Sequence, residues 1–518
     1  MTLVHGEVDE VNHGERHDGE QHDRPDGRDR PDGPDDGRPG ERERGQNREQ
    51  DGEEHGERRG ERHGETYGER HDGRPGERHG GAARGRRPWD TLTDCKEVLV
   101  VVHSLVYGQR LHDIYPLLAA DLRVHVQFTV APHTFNGGAT AQLRRLGGTV
   151  LPWEEAVRRE FDLVLAAGSQ GLEQLRGPLV RLPHGAGYIK LSPAGAGAGR
   201  TVAGLGPEYV TWNGRLVPTA YALAHEDDRA ELVRGCPEAL PIAEVVGDGC
   251  YDRIAAALPH RERYRAALGL RPGERLVLVC STWGRGSLFT RLDAVLPRLA
   301  AELPRHGYRT ALLVHPNVAA AHGPWAVRSW ATATARGAVA VLAPEEDWRP
   351  LLVAADFVIG DHGSVTLYGT MTGAPILLAE YPRRDVNPRS PGALLARTAP
   401  ALSPGHPLTG QLAYAAEQYR REEYAAIAAR ISSQPGRFDR RIRRLLYRVL
   451  GLGEPAHLPE PPALALPAPL WPAGDAGAGA TAFAGPGAGA GTDGGAGAAV
   501  GVCGGAAGAV GAVERGEA

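Results

Sequence analysis

The chain has 518 residues, a formal charge of −5 and five cysteines. A charge this small for the length, with arginines interleaved among glutamates and aspartates, excludes a basic nucleic-acid binder. Cys95, Cys236, Cys250, Cys280 and Cys503 are odd in number and lack Cys-x-x-Cys spacing, which argues against a disulfide framework or a zinc site and for reduced thiols.

Residues 1–87 are Gly, Glu, Arg, Asp and His with almost nothing apolar, so they cannot bury a core and are expected as a disordered tail. His55, His63, His71 and His79 recur there at a fixed spacing. Such a series can bind copper, nickel or zinc weakly, but an expanded low-complexity linker is the simpler reading. Residues 1–20 contain no apolar h-region, and no run of 18 or more strongly apolar residues occurs. We therefore expect no signal peptide, no membrane span and a cytoplasmic protein.

Structure is expected from Trp89 onward. Residues 97–103 form a continuous apolar run, as in a central parallel strand covered on both faces. Leu111, Ile114, Leu117 and Leu118 follow at helical spacing. Strands are predicted at 124–130, 162–166, 179–182, 221–225 and 243–247, with a short helix at 141–146 and a flexible insertion at 194–199. A second alternating unit begins with a strand at 275–281, the turn 281–287 and a helix at 288–303. Strands at 310–314, 338–342, 357–359 and 375–379 follow, with a helix at 365–372 stopped by Gly373. The alternation predicts two doubly wound, Rossmann-like parallel sheets. Residues 411–431 read as one helix. Residues 438–450 read as a basic helix, with Arg440, Arg441, Arg443, Arg444 and Arg448 beside Ile442, Leu445, Leu446 and Val449. That pattern suits a helix lying on anionic lipid; packing of the apolar face on the protein is the preferred reading. Residues 473–518 are Ala/Gly-rich and are expected as a second disordered tail.

Three strand ends carry the candidate chemistry. His184 follows the 179–182 strand in Pro183-His184-Gly185-Ala186-Gly187, and His315 ends the 310–314 strand. Gly360, Asp361, His362, Gly363 and Ser364 lie between a strand and a helix start. Open α/β sheets place ligands at such ends. A Gly-containing loop with a hydroxyl and free amides suits a diphosphate. An imidazole suits removal of a proton from an acceptor hydroxyl near neutral pH. Glycine loops on two sheets suggest a ligand in the cleft between them. No carboxylate pair has metal-ligand spacing, so neither a metal nor a cofactor is expected.

Ser281-Thr282-Trp283, Leu313-Val314-His315-Pro316 and Ala355-Asp356-Phe357-Val358-Ile359-Gly360-Asp361-His362-Gly363-Ser364-Val365 stand in order in the second half. This half resembles the carboxyl-terminal domain of the CDP-glycerol glycerophosphotransferase family, the GT-B-fold polymerases of teichoic acid synthesis. That family has a strand ending in Thr-Trp or Thr-Phe, one ending in His-Pro, and a segment Ala-Asp-x-x-Ile-Thr-Asp-Tyr-Ser-Ser-Val. In the first half His184-Gly185 is similar to the family's His-Gly, and Gly247 to Asp252 is similar to its Gly-x-Pro-x-x-Asp. The family's Tyr-Ser is His362-Gly363 here, and Ala186-Gly187 replaces the residues that usually follow His-Gly.

The resemblance implies a GT-B-like fold, with 88–252 as the acceptor domain, 253–450 as the nucleotide-binding domain with terminal helices, and 451–518 as the tail. It implies His184 as general base, and His315, Thr282, Asp361, Gly363, Ser364 and Val365 around the donor's diphosphate. The implied reaction moves a glycerophosphate, or a related polyol phosphate, from a CDP-activated donor to a hydroxyl acceptor in cell-envelope polymer synthesis. The acceptor would be a polyol or glycan, free or lipid-linked, and the 440–448 arginines would supply any peripheral contact with the inner membrane face. Two alternatives stand beside this reading: a GT-B glycosyltransferase using a nucleotide-sugar, and a degenerate scaffold that binds a nucleotide or partner without turnover.

Overall fold

The computed structural model describes residues 91–471, apart from 93, 194–198 and 336. The expected tail at 1–87, its histidine series and most of the 194–199 insertion lie outside the described residues.

Valine-, leucine- and alanine-rich segments form two parallel sheets. The first comprises β1 (Lys96–Val102), β2 (Val124–Val130), β3 (Val150–Leu151), β4 (Leu163–Ala166) and β5 (Leu179–Arg181). Two small hairpins follow, β6 (Leu191–Pro193) with β7 (Arg200–Val202) and β8 (Thr211–Trp212) with β9 (Arg215–Leu216). The sheet then continues with β10 (Ala220–Leu223) and β11 (Ala243–Val245). Its order is β11-β10-β5-β4-β1-β2-β3, and every pairing is parallel. Val98 to Val102 are at most 1% exposed, which is why a continuous apolar run marks this strand: helices cover both faces of a parallel sheet.

The second sheet contains β12 (Arg275–Ser281), β13 (Tyr308–Val314), β14 (Val339–Val341), β15 (Phe357–Gly360) and β16 (Ile376–Leu378) in the order β14-β13-β12-β15-β16, again all parallel. Two doubly wound sheets of this kind make the GT-B-like α/β architecture expected from the sequence. In each, strand order reverses beside the first strand, between β1 and β4 and between β12 and β15. Ligands of open α/β sheets bind at such switch points.

Three expectations need correction. Residues 411–431 are two helices, Leu408–Gln418 and Arg421–Ala429. Tyr419 and Arg420 are extended between them, and the Arg420 guanidinium donates to the Glu417 and Tyr419 carbonyls, ending the first helix without glycine or proline. The helix after β15 is short, running over Ser364–Tyr368 and then tightening into a 3-10 turn at Gly369–Met371. Finally, the ordered chain does not end at 450: Leu464 and Trp471 are buried, the Tyr264 hydroxyl donates to the Leu464 carbonyl, and the Trp471 amide donates to Leu268.

The helix Phe438–Leu450 has the expected bounds but returns to the first sheet. Phe438, Ile442, Leu445, Leu446, Tyr447 and Leu450 join Val98, Val100, Leu163 and Val180 in one apolar cluster. Burial of each large side chain contributes about 1.5–3 kcal/mol. On the polar side Arg443 and Arg444 pair with Glu454, and Arg448 with Glu244. The packing alternative is thus the one realised, and the face that would enter lipid is covered. No helix among the described residues is long and apolar enough to cross a membrane.

Candidate active site

The loops at the carboxyl ends of the two sheets line one cavity of about 1560 Å³. On the second sheet the switch point is tied together by Asp361, which is 1% exposed. Its Oδ2 accepts the amides of Thr282 and Leu288, each at 2.9 Å, and its Oδ1 accepts the Gly363 amide at 3.0 Å. One carboxylate therefore fixes the turn after β12 against the loop after β15. Burial raises its pKa to about 6 against the pull of these amides and of Lys190. Asp361 acts on the loop from beneath, because its oxygens are occupied by backbone N–H groups. A side chain at Gly363 would put its Cβ 3.2 Å from that of Thr282 and 3.1 Å from the Asp361 carboxylate, so these neighbours would have to shift by a few tenths of an ångström.

His184 leaves β5 and opens into the cavity. It meets Tyr107 edge-on, with ring centroids 4.8 Å apart. Although His184 is exposed to the cavity, the protein packed around it in the cleft lowers its pKa to about 4, helped by the cations Arg181, Lys190 and Arg110. The ring is therefore neutral at physiological pH, as a proton acceptor must be. The loop is held from outside. Arg110, on the Leu105–His112 helix, donates from Nε to the Pro183 carbonyl at 3.2 Å and from Nη2 to Asp248 at 2.7 Å. The Tyr368 hydroxyl, on the helix after β15, donates to the same Asp248 oxygen at 2.9 Å. Asp248 also caps the helix Gly249–Ala257 through the Tyr251 amide. This buried trio joins the His184 loop to the second sheet's helix. The loops also touch directly: the Ala186 amide donates to Ser364 Oγ at 3.2 Å, and a Cβ at Gly185 would lie 2.6 Å from that hydroxyl.

His315 caps the helix Pro316–His322, its Nδ1 accepting the Asn317 amide at 3.1 Å. With Nδ1 used as acceptor, the neutral ring carries its proton on Nε2, where it can donate to an anion. Burial, Lys190 and His184 lower its pKa well below the usual range.

Lys190, beyond the His184 loop, reaches across the cleft. Its Nζ lies 3.3 Å from Thr282 Oγ1 and 4.8 Å from the centroid of the Trp283 ring. No carboxylate among the described residues pairs with it within 4.0 Å; burial lowers its pKa to about 8, with Asp361 pulling the other way. Trp283 in turn meets Phe135 at 5.2 Å, giving this end of the cavity an aromatic wall.

Every expected site residue lines this cavity: His184, Thr282, His315, Asp361, Gly363, Ser364 and Val365. Val365 packs partly on the core. The five-residue helix behind Ser364 is too short to carry a full macrodipole, so the positive charge here comes chiefly from Lys190. Lys190, Arg110, Asp248 and Tyr368 were missed, because their roles arise from contacts between distant segments. One signal was available for Lys190. Of 59 basic residues only Lys96 and Lys190 are lysine, and a lysine kept in so arginine-rich a chain marks a place where a compact ammonium differs from a guanidinium. Among the described residues no three His, Cys, Asp or Glu side chains come together to hold a metal ion. The cysteines at 95, 236, 250 and 280 are free thiols; Cys503 lies outside the described residues.

A cleft between two doubly wound sheets, with an imidazole on one side and a phosphate-compatible loop on the other, defines a GT-B-like protein. No family model matches the chain, and no curated protein does. Among solved structures it is similar to the wall teichoic acid polymerase TagF, at 13% identity and a TM-score of 0.47 over 70% of this chain and 90% of that one. It is also similar to a glycosyltransferase from Rickettsia africae (10% identity, TM-score 0.40, 69% of this chain and 98% of that one). A third likeness is to MnaA of S. aureus, solved with UDP (12% identity, TM-score 0.42, 70% of this chain and 100% of that one).

Proposed function

We propose that the protein is a nucleotide-dependent transferase in which His184 of the first sheet supplies a base, while the strand-end loops of the second sheet, with Lys190 reaching across from the first, hold the donor's diphosphate. The observation that carries this reading is the convergence of a neutral His184 with Lys190, Thr282, His315 and Ser364 on one cavity. Lys190 supplies a cation, His315 an N–H donor, and Thr282 and Ser364 hydroxyls, which together suit a diphosphate. His184 takes the proton of an acceptor hydroxyl.

The motif resemblance supports CDP-glycerol, or a related CDP-polyol, as donor. The acceptor oxygen attacks the phosphorus that bears the glycerol, and the bond from that phosphorus to the bridging oxygen breaks. Glycerophosphate is transferred, CMP departs on the Lys190–His315 side, and the acceptor proton ends on His184.

A thermal-shift series with CDP, CDP-glycerol, UDP, UDP-sugars and GDP tests the donor, since a ligand of the folded state raises the melting temperature by mass action. Selective stabilisation by cytidine nucleotides is expected. Stabilisation by uridine or guanosine nucleotides moves the protein to the glycosyltransferases, and no shift with any of them favours a scaffold without turnover.

A further inference from the structure

Arg181 ends β5 in the interior of the first sheet, in register with Ala166 on one side and Tyr221 on the other. Leu179, Val180 and Leu182 around it are buried apolar residues, and Arg181 itself is only 4% exposed. Taking a charge out of water is costly, so buried guanidiniums ordinarily rest on carboxylates. Other buried arginines here obey this: Arg110 pairs with Asp248 at 2.7 Å, and Arg253 with Asp113 at 3.2 Å. Arg181 does not. No carboxylate among the described residues lies within 4.0 Å of it. One Nη donates to the Tyr209 carbonyl at 2.6 Å, the guanidinium lies 5.0 Å from the Tyr221 ring centroid, and Nε is buried with no hydrogen-bond partner.

This uncompensated cation stands on the wall of the main cavity and of a smaller one of about 160 Å³. His184 lies three residues further along the chain, and Arg181 is among the cations that lower its pKa. We propose that Arg181 anchors an oxyanion subsite that holds a phosphate or carboxylate group of the acceptor beside His184. The planar fork of a guanidinium matches two oxygens of such a group. An anion there supplies the missing counter-charge and offsets Arg181's share of the lowered His184 pKa, burial remaining the larger cause. The assignment of that anion to the acceptor rests on the reading of His184 as base and of Lys190 as donor contact.

The test is calorimetric titration of the full chain, at constant ionic strength, with glycerol 3-phosphate, inorganic phosphate and CDP. Wild type, Arg181→Gln and Lys190→Gln are compared. Arg181→Gln is expected to weaken glycerol 3-phosphate binding by about tenfold or more and to leave CDP binding unchanged. Lys190→Gln is expected to do the reverse. Glycerol 3-phosphate binding that survives Arg181→Gln overturns the proposal, as does its loss in Lys190→Gln alone, an outcome that leaves the donor reading intact. Loss in Arg181→Gln together with CDP binding that ignores Lys190→Gln supports the subsite and sinks the donor reading. Inorganic phosphate binding as tightly as glycerol 3-phosphate makes this a free-phosphate site and overturns its assignment to an acceptor. Because Arg181→Gln removes an unpaired buried charge, it is expected to melt no lower than wild type. Should it misfold, Arg181→Lys keeps the charge and loses the fork; unchanged glycerol 3-phosphate affinity in that variant overturns the proposal.

Discussion

The two loops that meet across the cleft are built in opposite ways. The Asp361 loop is self-contained: one buried carboxylate gathers three backbone amides from two neighbouring strand ends. The His184 loop is held by its neighbours, through Arg110 to Pro183 and through Asp248 to Tyr368 of the other sheet. A group that must hold a ligand's charge gains from a rigid, preorganised frame. A group that must accept and release a proton needs placement and an open face. His184, the proposed base, is thus placed partly within its own half, through Arg110, and partly by the Tyr368–Asp248 and Ala186–Ser364 contacts, which form only when the two sheets are docked.

The largest effect expected from separating these roles is on turnover. His184→Ala should lower it by about 10²–10⁴-fold while nucleotide affinity and melting temperature stay near wild type, because the ring opens into the cavity. Equal loss of nucleotide affinity would show that the loops do not divide the work. Next, Arg110→Met should cost about 3–5 kcal/mol in denaturant unfolding, since it leaves Asp248 buried and unpaired. The Asp361 loop should keep its nucleotide affinity under conditions where this variant remains folded; loss of that affinity would make the two loops one unit.

The pH response sharpens the comparison further. Lys190 titrates near 8 instead of 10.5. The folded protein therefore holds fewer protons than the unfolded chain between about pH 8 and 10.5, and this residue's contribution to stability rises with pH across that window. Nucleotide binding favours the charged form, so affinity should fall by up to about tenfold per pH unit above 8. A flat profile to pH 10 would remove Lys190 from the site. For His184, the acid limb of kcat/KM should lie near pH 4 instead of 6.5. The smallest effect is Ser364→Ala, which deletes one neutral hydrogen bond between the loops and should weaken nucleotide binding by about 0.5–1.5 kcal/mol.

The strands were legible because a parallel strand buried on both faces is an apolar run. Residues 124–130, 275–281 and the basic helix at 438–450 have the expected bounds. The strand-end histidines and the Asp361 loop were legible because ligand sites of such sheets lie at carboxyl ends. What could not be read depends on convergence in space. Asp248 meets Arg110 across 138 positions and Tyr368 across 120, and nothing near any of the three announces the others. The return of the 438–450 helix to the first sheet is likewise invisible in its own periodicity, which says that one face is buried but not against what. In sequence Arg181 reads as part of a strand, although an arginine among buried Leu179, Val180 and Leu182 is a signal in itself.

The division of labour is tested most directly by titrating CDP and UDP onto wild type, His184→Ala and Lys190→Gln. With whichever nucleotide the wild type binds, His184→Ala should bind as wild type does and Lys190→Gln should lose about tenfold or more. Wild-type affinity in Lys190→Gln, or a matching loss in His184→Ala, would contradict it.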